Sequence, residues 1–225
     1  MSNILLSGCG ITFRGENKPT WTNVLKMAGL NIKDLSGPAI SNTLILNILI
    51  MEMYERSYDY VICQLSNHGK LDIELNENNT VLMQKDPIRN FSFQGYWPSS
   101  MSNDSDAKKI FYKYLYSPTL EQQDTILKLL HLQQLCRTTH TKLFVVQGYK
   151  IDWYPNLLDL VAKLNYNKQF VIYDDYVNHE TYAQHDHSNN NTVPCVQYQT
   201  VLAKYINDNF LKDKKVDSVL QRLNV

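Results

Sequence analysis

Ile4-Leu5-Leu6-Ser7-Gly8-Cys9-Gly10-Ile11-Thr12 is the stretch from which the rest of the chain can be read. A short apolar run ends in small residues carrying two glycines, and a helix-compatible segment opens at Trp21. A buried parallel strand hands its carboxyl end to a loop in this way, and open α/β sheets place their sites in such loops.

Working outward, the same pattern recurs. Strands are expected over residues 3–7, 31–35, 59–65, 142–147 and 169–173, alternating with helices over 21–28, 43–56, 106–115, 119–138, 154–164, 195–210 and 213–223. Thr20 suits the cap of the first helix, Gly29 its carboxyl end, and Ser41 or Asn42 the cap of the second. The second helix is apolar nearly all round, so it should press against the sheet. Ser117-Pro118 breaks the chain before a helix whose apolar face is expected from Leu120, Ile126, Leu127, Leu130 and Leu135. Strands alternating with helices argue for an α/β fold with one parallel sheet. A flavodoxin-like three-layer sandwich of about five strands, in the order 2-1-3-4-5, is the default arrangement.

The chain has 225 residues, enough for a single domain over 1–225. Residues 70–106 read as an insertion or lid within it. There, residues 71–75 and 80–84 are expected to pair as a hairpin, followed by the aromatics Phe91, Phe93, Tyr96 and Trp97. Lys and Arg total 22 against 22 Asp and Glu, so no global field invites nucleic acid or an anionic membrane. The apolar run 44–53 is too short to span a bilayer, and no secretion signal is visible, which points to a soluble, cytoplasmic product. Cys9, Cys63, Cys136 and Cys195 are widely spaced and read as reduced thiols. No cofactor motif is present, since Gly8-x-Gly10 lacks the third glycine and an immediately following helix.

The opening stretch resembles block I of the SGNH/GDSL hydrolases, in which a strand ends in Gly-Asp-Ser-x-(Thr) and the serine is the nucleophile. Gly8 matches the glycine, Cys9 stands at the aspartate, and Gly10 falls where the serine belongs. Three further places are similar to the family. Asp34-Leu35-Ser36-Gly37 occupies block II, so the resemblance makes Ser36 or Gly37 a donor to an oxyanion hole, and Ser41-Asn42 resembles the segment opening the next helix. Asn67 stands near the block III asparagine, the other oxyanion donor, without the family's glycine and aspartate. In block V, His187 matches the base, Gln184 replaces the aspartate three residues earlier, and Asp186 is its nearest substitute.

Acyl transfer by that scheme needs a hydroxyl nucleophile, a histidine base and a carboxylate that orients it. Gly10 has no side chain and cannot be the nucleophile, although its backbone N–H can still face an anion beside Asn67. The favoured expectation is therefore a catalytically degenerate protein with a binding or structural role, in one setting a phage virion component. Its partners would then be carbohydrate or other virion proteins, with an oligomer allowed, and without nucleic acid or membrane. Tyr96, Trp97 and Trp153 would suit stacking on a sugar ring. One alternative is an active carbohydrate esterase or deacetylase with Cys9 as a substituted nucleophile, served by His187 and Asp186. A second is a metal-dependent hydrolase built on His185 and His187, two histidines that share one face of an extended segment.

Overall fold

The structure is a computed structural model and describes residues 2–8, 20–37, 40–66, 71–75, 84–85, 92–96, 114–147, 151–164 and 196–223. β1 (Asn3–Ser7) pairs in parallel with β2 (Asn31–Asp34) on one side and β3 (Tyr60–Leu65) on the other. A fourth strand, β7 (Lys142–Gln147), adds in parallel to β3, so the sheet has the order β2-β1-β3-β7. These are the first four of the expected strands in the expected order. The fifth, over 169–173, lies outside the described residues. Leu5, Leu6, Val61, Ile62, Cys63 and Leu65 are fully buried, as near-continuous apolar runs require in strands covered on both faces.

Four helices begin at a hydroxyl or carboxylate side chain that caps the first turn. Thr20 caps α1 (Trp21–Met27) by accepting from the Asn23 N–H, and Gly29 follows at φ 75°, a left-handed position open to glycine. Ser41, rather than Asn42, caps α2 (Asn42–Glu55) by accepting from the Leu44 N–H. α2 packs on β1, β3 and the long helix α3 (Pro118–Thr138), and buries Leu44, Ile45, Leu46, Ile48, Leu49, Ile50 and Met53. Each such side chain contributes roughly 1.5–3 kcal/mol relative to exposure.

After β7 the chain makes a 3₁₀ turn (Pro155–Leu157) and a short helix, α4 (Leu158–Val161), instead of one helix running to residue 164. α5 (Val196–Ile206) continues into a π turn (Asn207–Leu211), and α6 (Lys214–Arg222) starts at its Asp213 cap. α1, α5 and α6 pack together. Alternate residues of β3 meet different helices. The Tyr60 ring stands edge-on to Phe210 just beyond α5, at 5.2 Å between centroids, whereas the Cys63 thiol feels that of Cys136 on α3.

Two local expectations are corrected. β4 (Leu71–Leu75) pairs antiparallel with β6 (Ser92–Tyr96), and β6 also pairs with β5 (Gln84–Lys85), giving the order β4-β6-β5. The partner of β4 is thus the aromatic segment, whose Phe and Tyr favour strand, rather than its nearer neighbour in sequence. On α3, Ile126, Leu129, Leu132 and Cys136 are buried, while Leu120 and Leu127 of the expected face are exposed. The buried line also takes Gln122, Thr125 and Gln133, so polar residues share the inner face and an apolar count alone misplaces it.

Candidate functional site

Four parallel strands put four carboxyl ends on one edge of the sheet, at Ser7, Asp34, Leu65 and Gln147. The β1–β2 ladder runs on past the strands. Leu35 N–H donates to the Leu6 carbonyl at 2.8 Å, and Gly37 N–H to the Gly8 carbonyl at 3.0 Å. Ser7 Oγ adds a bond to the Leu35 carbonyl at 3.2 Å. The Ser36 N–H donates to Asp34 Oδ1 at 3.1 Å, forming a turn closed by its own aspartate. Both backbone donors expected of block II therefore already have acceptors within the protein. The donor that remains there is the Ser36 hydroxyl, which is buried without a hydrogen-bond partner.

A second hydroxyl of this kind lies at the end of β3. Ser66 is fully buried and its Oγ has no partner. Its backbone, by contrast, is held from both sides by one side chain. Asn42 Oδ1 accepts the Ser66 N–H at 2.6 Å, and Asn42 Nδ2 donates to the Ser66 carbonyl at 3.1 Å. Asn42 is itself fully buried at the start of α2, so the first turn of that helix fixes the point from which the chain departs toward Asn67. Gln122 of α3 repeats the device beyond β7. Its Nε2 donates to the Asp152 carbonyl at 3.0 Å, and its Oε1 accepts the Tyr154 N–H at 2.9 Å. Between them stands Trp153, partly buried against the core.

Buried unpaired polar groups cost about 1–3 kcal/mol each, so two at one edge need an explanation. The third orphan among the described residues, Trp21 Nε1, lies in the core, where its ring packs at the start of α1. Gln199 of α5 accepts the Trp21 backbone N–H at 3.0 Å and so satisfies an orphan donor of that helix.

Of the expected site residues, Ser36, Gly37, Tyr96 and Trp153 are described, and Gly37 is bonded to Gly8. The backbone of Tyr96 pairs with Leu71 in the antiparallel sheet. Cys9, Gly10, Asn67, Trp97, His185, Asp186 and His187 lie outside the described residues. The buried thiols of Cys63 and Cys136 are not poised for nucleophilic work. Burial pushes Cys136 up to about 12, and burial together with the Cys136 thiol raises Cys63 as well. The sequence marks Asn42 only as a possible cap and as part of the segment opening the second helix, and it does not mark Gln122. Asn42 shares its helix with another amide, Asn47, and Gln122 shares its buried line with Thr125 and Gln133, so nothing local distinguishes either from a solvent-facing residue.

Among the described residues no helix is long and apolar enough to cross a membrane. Compared with protein-family models and with curated proteins, the chain matches none.

Proposed function

We propose that the chain is a catalytically degenerate SGNH-hydrolase-like protein, with a flavodoxin-like three-layer frame completed by a fifth strand over 169–173, acting as a binding or structural component. The observation that supports this reading is that Ser36 and Ser66 keep buried hydroxyls with no partner at the carboxyl edge. In the sequence, Gly10 falls at the nucleophile position of the family that the opening stretch resembles. Two buried hydroxyls kept at a cost mark this edge as polar beneath its surface, and a glycine leaves no group to attack a bound ligand. A carbohydrate, which offers alternating donors and acceptors and an apolar ring face for Trp153, Tyr96 or Trp97, is the ligand class that fits. A virion-associated setting is part of the same reading.

The test is hydrolysis of a short-chain activated ester by the wild type, Gly10→Ser and Cys9→Ala, side by side. An inert wild type made active by Gly10→Ser supports a retained base and oxyanion hole around a missing nucleophile. Wild-type activity that vanishes in Cys9→Ala overturns the proposal in favour of a thiol esterase. Wild-type activity that survives Cys9→Ala and disappears on chelation favours instead the metal-dependent hydrolase of His185 and His187.

A further inference from the structure

The opposite, amino-terminal edge of the sheet carries a cavity of about 230 Å³, lined by Asn3, Asn31, Lys33, Arg56, Ser57 and Tyr58 over a floor at Ile4. Its walls come from the first residues of β1 and β2 and from the turn that leads from α2 into β3. The lining holds two cations and no carboxylate. Behind it sits Glu52, whose side chain is only 3% exposed. Glu52 Oε2 pairs with Lys33 Nζ at 2.6 Å, and Oε1 accepts the Tyr58 hydroxyl at 2.5 Å. Burial works to raise this carboxyl, but the bonds from Lys33 and Tyr58 and the charges of Lys33 and Arg56 outweigh it and hold it below its ordinary value. Glu52 is thus an ionised, saturated counterion that fixes Lys33.

Arg56 is left over. Only its Nε approaches Glu52, at 3.7 Å, too long for a hydrogen bond, and its side chain is 66% exposed. The guanidinium Nη groups therefore have their donors available at the mouth of the cavity. Asn31 Nδ2 donates to Asn3 Oδ1 at 2.6 Å, which orients the Asn3 amide and leaves its own NH₂ free to donate. Asp59 Oδ2 accepts the Asn3 N–H at 2.7 Å, and Asp59 does not line the cavity. Glu52 offsets Lys33, and the carboxylates of Asp59, at the Asn3 N–H, and Glu55, whose charge reaches Tyr58, stand at the rim, so any grip on an anion comes from the Arg56 fork and the oriented neutral donors rather than from net charge.

The geometry points to a binding site for a small oxyanion, a phosphate or carboxylate group gripped by the Arg56 fork with the Asn3 amide and Ser57 hydroxyl. Planar guanidinium matches either group bidentately, and the volume admits a small molecule or the charged end of a larger one. The site is independent of the carboxyl-edge reading, because it shares no residue with it.

The probes are inorganic phosphate and acetate, titrated into the full chain while the backbone amide resonances of Asn3, Asn31 and Lys33 are followed by NMR. Saturable shifts in the millimolar range or tighter are expected with at least one probe. Saturation by phosphate alone identifies a tetrahedral group, and by acetate alone a carboxylate. Arg56→Gln, at an exposed position that leaves the Glu52–Lys33 pair intact, should weaken that binding by about tenfold or more, the scale of a lost charge-assisted bond. Arg137→Gln, on the outside of α3, should leave it unchanged. Linear, unsaturating shifts with both probes, or saturation that survives Arg56→Gln, would overturn the proposal.

Discussion

Replacing Asn42 by alanine should be among the most costly single changes near the carboxyl edge. The carboxamide makes two bonds to one buried residue, accepting the Ser66 N–H at 2.6 Å and donating to the Ser66 carbonyl at 3.1 Å. Alanine leaves an N–H and a carbonyl unpaired, at about 1–3 kcal/mol each. A water entering the space of the lost amide recovers part of this, so the expected loss is about 3 kcal/mol. For a chain of this size that corresponds to a fall in Tm of roughly 6–12 °C. Urea unfolding followed by circular dichroism measures it, with Asn47→Ala on the same helix as the control. Asn42→Asp separates the two bonds. Its carboxylate still accepts the N–H, but its second oxygen faces a carbonyl, and a buried charge is added. Both effects raise the aspartate pKa in the folded state, so the variant's deficit should shrink as pH falls and the protonated acid donates to the Ser66 carbonyl. A loss below about 1 kcal/mol for Asn42→Ala, or an Asp variant indistinguishable from wild type at every pH, would refute the clamp.

Glu52 predicts an acid limb of the opposite sign. Its folded pKa lies below the unfolded value, so its contribution is complete above about pH 4.5 and is lost as pH falls through the depressed folded value. The stability gap between wild type and Glu52→Gln should therefore be widest near neutrality and close on acidification, as read from unfolding curves at a series of pH values. A gap that is constant with pH would mean that the carboxylate is not ionised against Lys33. The buried thiols supply the remaining prediction. In a variant lacking Cys9 and Cys195, Cys63 and Cys136 should resist a thiol-reactive disulfide reagent in the folded protein and react promptly in urea. Fast labelling of the native protein would contradict their burial and their raised pKa values.

What was legible in the sequence is what local rules control. The runs at 3–7, 60–65 and 142–147 each hold three or more consecutive apolar residues, whereas 31–34 has only Ile32, and Thr20, Ser41, Ser117 and Asp213 each precede a helix and cap it with their own side chain. Where a segment has a choice of partner, the reading failed. β4 could pair with either of two later segments, and only β6, rich in aromatics, could sit between β4 and β5. The amino-edge cavity was illegible for a similar reason, because Asn3, Asn31 and Arg56 converge from three elements and none belongs to a motif. At the carboxyl edge the position of Ser36 was readable but its chemistry was not. A small residue after a strand suggests a free backbone donor, yet the Asp34 side chain takes that N–H and leaves the hydroxyl instead.

The amide clamps bear on how far the proposed loss of catalysis extends. Asn42 and Gln122 hold the ends of β3 and the segment beyond β7 from within the helices, and the β1–β2 ladder holds Gly8 against Gly37 through backbone bonds alone. None of these bonds involves a nucleophile or a base. On the proposed reading, a glycine at position 10 would remove chemistry without removing any of the bonds that shape the described edge. It follows that Gly10→Ser should fold with wild-type stability, so that its activity or inertness in the ester assay reports on the base and the oxyanion donors rather than on a damaged frame. A Gly10→Ser variant that unfolds at markedly lower urea would show instead that the loop needs glycine for its backbone. In that case the glycine would be a structural requirement, and the absence of a serine there would no longer argue for a lost enzyme.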